Sequence, residues 1–150
     1  MKFIFGYQKL LQYYHQQEEI ARRDYNESLN RLEVEKSKYQ GMWDLHDNAI
    51  SEIYELRQLP QGAPAMKLSH LDEFVEGQKV RIERKRQVVI NHTSIAEQKQ
   101  EVLISAVKEQ KTLEKLKEKK YMEFKKLELK KERKANDELV VTRFRRGEGS

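Results

Sequence analysis

Apolar residues in the first 56 positions return every three or four residues, the spacing that lines them up along one face of a helix. With alternate a and d sites running from positions 4 and 7 to 53 and 56, 12 of the 16 sites are apolar or tyrosine. The exceptions are Glu18, Ser28, Glu35 and His46. A second stripe follows at Leu68, Val75, Ile82, Val89, Ala96 and Leu103, seven residues apart without interruption. Its d partners are poorer. Leu71 and Ala106 are apolar, but Gln78, Lys85, His92 and Lys99 are polar. So thin a seam suits two helices wound on each other better than a thick bundle. Beyond Leu113 the register slips, because Leu113, Leu116, Phe124 and Leu127 do not share one heptad.

Helix breakers cluster only in Leu59-Pro60-Gln61-Gly62-Ala63-Pro64. Each proline removes an amide donor and disfavours helical geometry in the residue before it. Ser69 followed by Asp72 reads as an N-cap, restarting the helix near His70. The expected layout is one domain, with helix 1 over about 3–58, a bend at 59–68, helix 2 over about 69–140 and a frayed tail at 141–150. The fold class is all-α, an antiparallel two-helix coiled-coil hairpin.

Composition agrees with that geometry. Of the 150 residues 37% are apolar and 37% charged, which is enough for a two-helix seam and little for a shared globular interior. Cysteine is absent, which excludes disulfides and thiol chemistry. The opening apolar stretch is interrupted by Gln8, Lys9 and Gln12, so it does not read as a signal peptide, and no apolar run approaches the ~18 residues of a membrane span. The expected setting is cytoplasmic.

At 1.5 Å per residue helix 1 should be roughly 80 Å long and helix 2 roughly 105 Å. Folded about Gly62, residue 3 should lie opposite the low 120s, leaving the last turns of helix 2 as an overhang. Charge concentrates there. Lys111 to Arg146 holds 14 Lys or Arg against 7 Asp or Glu, a net of +7, and the rest of the chain a net of −2. Intrahelical Glu–Lys pairs explain part of this. They leave Leu127, Leu129, Leu139, Val140, Val141 and Phe144 wet on a lone helix, a pattern suited to an acidic, partly apolar partner surface. Nucleic acid and anionic lipid are rivals for a basic helix. Lysines interspersed with glutamates and the lack of any helix-turn-helix, zinc-binding or RNP-type pattern argue against specific nucleic-acid recognition, and direct membrane insertion is not expected.

Nothing in the chain supports catalysis. His15, His46, His70 and His92 lack partners at metal-site spacing, the glycines form no phosphate-binding loop, and two helices cannot enclose a water-excluding pocket. No catalytic residue, metal or cofactor is expected. Gly41 and Gly77 should soften the helices near the bend. Of the aromatic and sulfur-bearing residues there, Tyr39 and Met42 lie on the seam, whereas Trp43 and Phe74 lie off it and suit partner contact.

The chain opens on Phe3-x-Phe5, then Gln8-Lys9-Leu10-Leu11 and the acidic pair Glu18 and Glu19, and it closes with a lysine- and glutamate-rich helix running into Asp137-Glu138-Leu139 and a basic tail. In these motifs and in its layout it resembles the FliJ family, the small coiled-coil protein of the bacterial flagellar type III export apparatus. The resemblance implies a stalk similar to that of rotary ATPases, whose end bearing both termini engages and stimulates the hexameric export ATPase. It further implies contacts with the export gate membrane protein and with export chaperones, and peripheral association with the inner membrane. Carried onto this sequence, the ATPase-facing residues are Phe3, Phe5, Leu10, Leu11, Phe124, Lys125, Lys126, Glu128, Asp137, Glu138 and Leu139. The gate-facing ones are Tyr39, Met42, Trp43 and Phe74. Gly6 departs from the helix formers common at the start of the family. The equivalent stalk of a virulence secretion system shares this architecture, and an unrelated coiled-coil adaptor binding nucleic acid through its basic C-terminal helix is the remaining alternative.

Overall fold

A computed structural model describes residues 2–148. It contains two helices, α1 (Gln8–Arg57) and α2 (Ala65–Glu148), packed against each other as an all-α antiparallel hairpin. The chain divides into two compact units, Glu19–Ile104 on one hand and Met1–Glu18 with Ser105–Ser150 on the other.

The bend between the helices lies in the Glu19–Ile104 unit and is built from the residues that stop a helix. The last turn of α1 tightens through the Gln58 amide to the Glu55 carbonyl and the Leu59 amide to the Leu56 carbonyl. A four-residue turn then closes with the Gly62 amide donating to the Leu59 carbonyl at 3.1 Å, with Pro60 in the second position where its fixed φ fits. Gly62 has φ +78°, a conformation costly for any residue with a Cβ. The second helix starts at Ala65, four residues before the Ser69 cap that the sequence suggests. Pro64 takes the capping place, its carbonyl accepting the Leu68 amide at 3.1 Å. Proline loses nothing there, because an amide at a helix start has no partner to lose. Ser69 and Asp72 therefore lie inside α2.

Packing in this unit follows the heptads. From Ala21 to Leu56 every a and d site of α1 is buried or half-buried, including the polar Ser28, Glu35 and His46. Next to the bend Ala49, Ile53 and Val75 form a buried cluster, covered by Leu68, Leu71 and Phe74. Each polar seam residue has its own resolution. The Ser28 hydroxyl donates to the Tyr25 carbonyl one turn back. Glu35 and Lys85 face each other as an ion pair at 2.8 Å, their side chains only 16% and 19% exposed. The Lys85 hydrogen bond, ahead of the opposing cost of desolvation, holds the Glu35 carboxyl below its ordinary pKa, and the charges of Lys85, Lys38 and His92 assist. Gln78 is 3% exposed, and its amide donates to the Met42 carbonyl across the seam at 2.9 Å. Lys99 alone among the polar d sites of α2 turns out to solvent.

Candidate functional site: the terminal unit and its basic overhang

At its C-terminal end α2 meets no strong stop signal, and the helix continues. The expected tail from residue 141 is helical as far as Glu148, because no glycine or proline intervenes before Gly147. Gly149 and Ser150 lie outside the described residues. The start of α1 moves the other way. The sequence places helix from about residue 3, whereas α1 begins at Gln8, where the Gln8 amide donates to the Phe5 carbonyl at 3.2 Å. In a helix, positions 3 and 5 would point about 200° apart, so only one phenylalanine could face α2. Outside the helix both do. Phe5 is 7% exposed, and the Phe3 ring sits 5.3 Å from Tyr121 and 5.5 Å from Phe124. Ile4 and Tyr7, which the heptad register places on the seam, are instead exposed.

Residue 3 thus lies opposite the low 120s, as expected from folding about Gly62. The aromatic cluster extends to Tyr7, edge-on to Phe5, and to Lys125, whose ammonium lies 5.0 Å from the centre of the Tyr121 ring. Tyr121 is the member that sequence reading passed over; an aromatic residue in the stretch expected opposite Phe3 is the signal that could have found it. Two or more turns deeper, His15, Gln110 and Glu114 form a polar link between the helices. The Gln110 amide meets His15 Nδ1 and Glu114 Oε1, and His15 Nε2 lies 3.6 Å from the same carboxylate.

Of the residues the resemblance assigns to ATPase contact, the structure gathers Phe3, Phe124 and Lys125 beside Tyr121, while Phe5 is buried with Tyr7 edge-on to it. Leu11 is buried in the seam, and Glu128 is its last half-buried member. Leu10 and Lys126 are exposed, and Asp137, Glu138 and Leu139 stand on bare helix. Every residue from Leu129 to Gly147 is exposed. At 1.5 Å per residue that stretch extends about 30 Å past its last contact with α1. Leu127, Leu129, Leu139, Val140, Val141 and Phe144 are all solvent-exposed along it. Seam residues Ala106, Gln110, Leu113, Lys117, Phe124 and Glu128 follow a spacing nearer 11 residues per three turns than 7 per two, which accounts for the register slip after Leu113.

In the other unit the suggested gate residues do not converge on one patch. Tyr39 and Met42 are half-buried seam residues. Phe74 packs on the cluster beside the bend, with the Arg81 guanidinium 5.6 Å over its ring. Trp43 is exposed, edge-on to His46 at 5.3 Å. His46 Nδ1 meets the Asp47 carboxylate at 3.2 Å, while its buried Nε2 has no partner.

Among the described residues no group of three or more His, Cys, Asp or Glu side chains could hold a metal ion, and no helix is long and apolar enough to cross a membrane. Comparison with curated proteins and with solved structures gives no match. The family model described as the flagellar FliJ protein matches residues 4–149, nearly the whole length, taking in both helices and the overhang. The chain belongs to the flagellar FliJ protein family.

Proposed function

We propose that the protein is a non-catalytic stalk of the flagellar export apparatus, engaging and stimulating a hexameric export ATPase through its terminal unit. The observation that carries this reading is the bare helix from Leu129 to Gly147, basic and apolar at once, in a chain of this family. A single helix is narrow enough to enter a ring of subunits, and its sides differ in charge and apolarity. Six equivalent subunits around it would meet six different surfaces. Such unequal contacts favour closure of one subunit over its neighbours, which is differential affinity expressed as coupling. The clasp of Phe3 on Tyr121 and Phe124 would fix where the paired portion ends and the inserted portion begins.

Contact with the export gate membrane protein belongs to the other unit in this reading, with exposed Trp43 as its anchor. Export chaperones are further partners on the family's account. The protein acts in the cytoplasm, held near the inner membrane by the gate.

Adding purified protein to its cognate ATPase should raise turnover. Deletion of residues 129–150 leaves the seam intact, since Glu128 is its last member, and should abolish the stimulation. Full stimulation by the shortened chain would remove the overhang from the mechanism. A tryptophan-to-alanine change at Trp43 should leave stimulation intact and weaken gate capture.

A further inference from the structure

Lysines and glutamates alternate along the C-terminal third of the sequence, and the helix brings five of the cations onto its outward face. The seam residues Gln110, Leu113, Phe124 and Glu128 fix the side of α2 that faces α1. On the outward side, at spacings of seven, eleven and four residues, Met122, Leu129, Val140 and Phe144 form one line, and all four are exposed. The same face carries Lys111, Lys115, Lys119, Lys126 and Arg133, all exposed and none ion-paired among the described residues. Of the seven acidic residues between Lys111 and Arg146, two, Glu118 and Asp137, lie on this face among its cations. Glu114 is turned toward His15 and Gln110, Glu123 pairs with Lys120, and Glu128 lies in the seam. A shallow groove lined by Lys126, Leu127, Leu129, Lys130 and Arg133, with Glu123 at it as well, lies beside this face.

From these positions we infer that the outward face of α2 from Lys111 to Phe144 is a docking surface for an anionic phospholipid bilayer. Three features fit lipid in particular. The face runs roughly 50 Å at 1.5 Å per residue, long enough to lie along a planar surface. Its cations are free of internal partners and lie where lipid phosphates would be. Its apolar side chains sit in line among them, placed to enter the headgroup–acyl boundary while the lysine stems snorkel upward. Nucleic acid would use the cations and leave the apolar line in water. The surface stands on the helix geometry alone and does not require the ATPase reading.

Flotation of the full-length chain with vesicles tests it. At physiological salt the protein should float with phosphatidylcholine vesicles containing phosphatidylglycerol and stay behind with phosphatidylcholine alone. Each cation beside an anionic leaflet strengthens binding about fivefold, so K126E/R133E should weaken it by at least about 25-fold. K134E/R145E changes net charge equally on another side of the helix and should remain within about threefold of the parent. L129S/F144S should weaken binding about tenfold or more. Circular dichroism guards against unfolding, which is not expected because none of these residues touches the seam. Absence of flotation by the parent chain overturns the inference. So does equal loss in the two charge pairs, which would mark a diffuse polycation. Undiminished binding by L129S/F144S also overturns it, and would leave a sequence-blind polyanion surface of the kind nucleic acid uses.

Discussion

Replacing Gln78 separates two accounts of the polar seam. Gln78 is nearly fully buried at a d site, donating to the Met42 carbonyl and accepting from Arg81 Nε, each at 2.9 Å. Leucine would forfeit both hydrogen bonds, about 0.5–1.5 kcal/mol each in net terms. It would strand nothing, since Met42 lies mid-helix with its carbonyl in the α1 ladder, and the Arg81 guanidinium can turn to water. Against that loss, a buried leucine side chain contributes about 1.5–3 kcal/mol. Gln78→Leu should therefore unfold within about 1 kcal/mol of the parent. Alanine forfeits the same bonds and leaves a void, so Gln78→Ala should lose about 2–3 kcal/mol. Urea unfolding followed at the helical circular-dichroism minimum measures both, with the slope of the transition reporting whether the folded states are alike. If leucine destabilised as much as alanine, the hydrogen bonds rather than the packing of the side-chain stem would hold this layer, and the reading of the seam as a chiefly apolar surface with tolerated polar sites would be wrong. Register is the complementary readout: a disulfide engineered across the seam near Glu35 and Lys85 should form as readily in the leucine variant only if Gln78 is not what fixes alignment.

The Glu35–Lys85 pair gives a pH dependence of defined sign. A carboxyl whose folded pKa is lowered adds stability that is complete above its unfolded pKa and is lost as pH falls through the folded value. Thermal melts of the parent and of Lys85→Met should thus differ most at neutral pH and converge in acid; a gap that widened in acid would reverse the assignment. Gly41 sits in a continuous helix with nothing within 4 Å of an added Cβ, so Gly41→Ala should stabilise the chain by about 0.5–1 kcal/mol in urea titration. Phe5→Ala should release the N-terminal clasp without unfolding the seam of the other unit. Amide exchange should then accelerate at the start of α1 and around Tyr121, while protection around Val75 and Ile82 stays at the parent level. Uniform acceleration would mean the clasp supports the whole fold.

Much of this fold was legible because heptad spacing is local information. Once the a and d sites of α1 were assigned from Leu11 onward, even Glu35 and His46 fell on the inward face, because a helix cannot turn one residue out without turning its neighbours. The same rule failed before Gln8, where it placed Ile4 and Tyr7 inward. Outside the helix Phe3 packs on Tyr121 and Phe124 while Phe5 is buried as well, which a helical segment could not give both. Ser69 as a cap failed for a comparable reason: Pro64 already supplies a helix start at no hydrogen-bonding cost, and it comes first. The candidate site was half visible. Basic charge and wet apolar residues could be counted in the string, but Tyr121 and the side of α2 that is left outward could not.

By itself, then, the sequence determined the two helices, the bend at Pro60 to Gly62, the seam from Leu11 to Leu56 and the basic character of the C-terminal stretch, all of which depend on spacings within one segment. Only the tertiary structure decided which polar side chains the seam absorbs, where α1 begins, and which face of α2 is left outward. Those depend on what stands across from each residue, and a partner dozens of positions away along the chain leaves no periodic trace in the segment it touches.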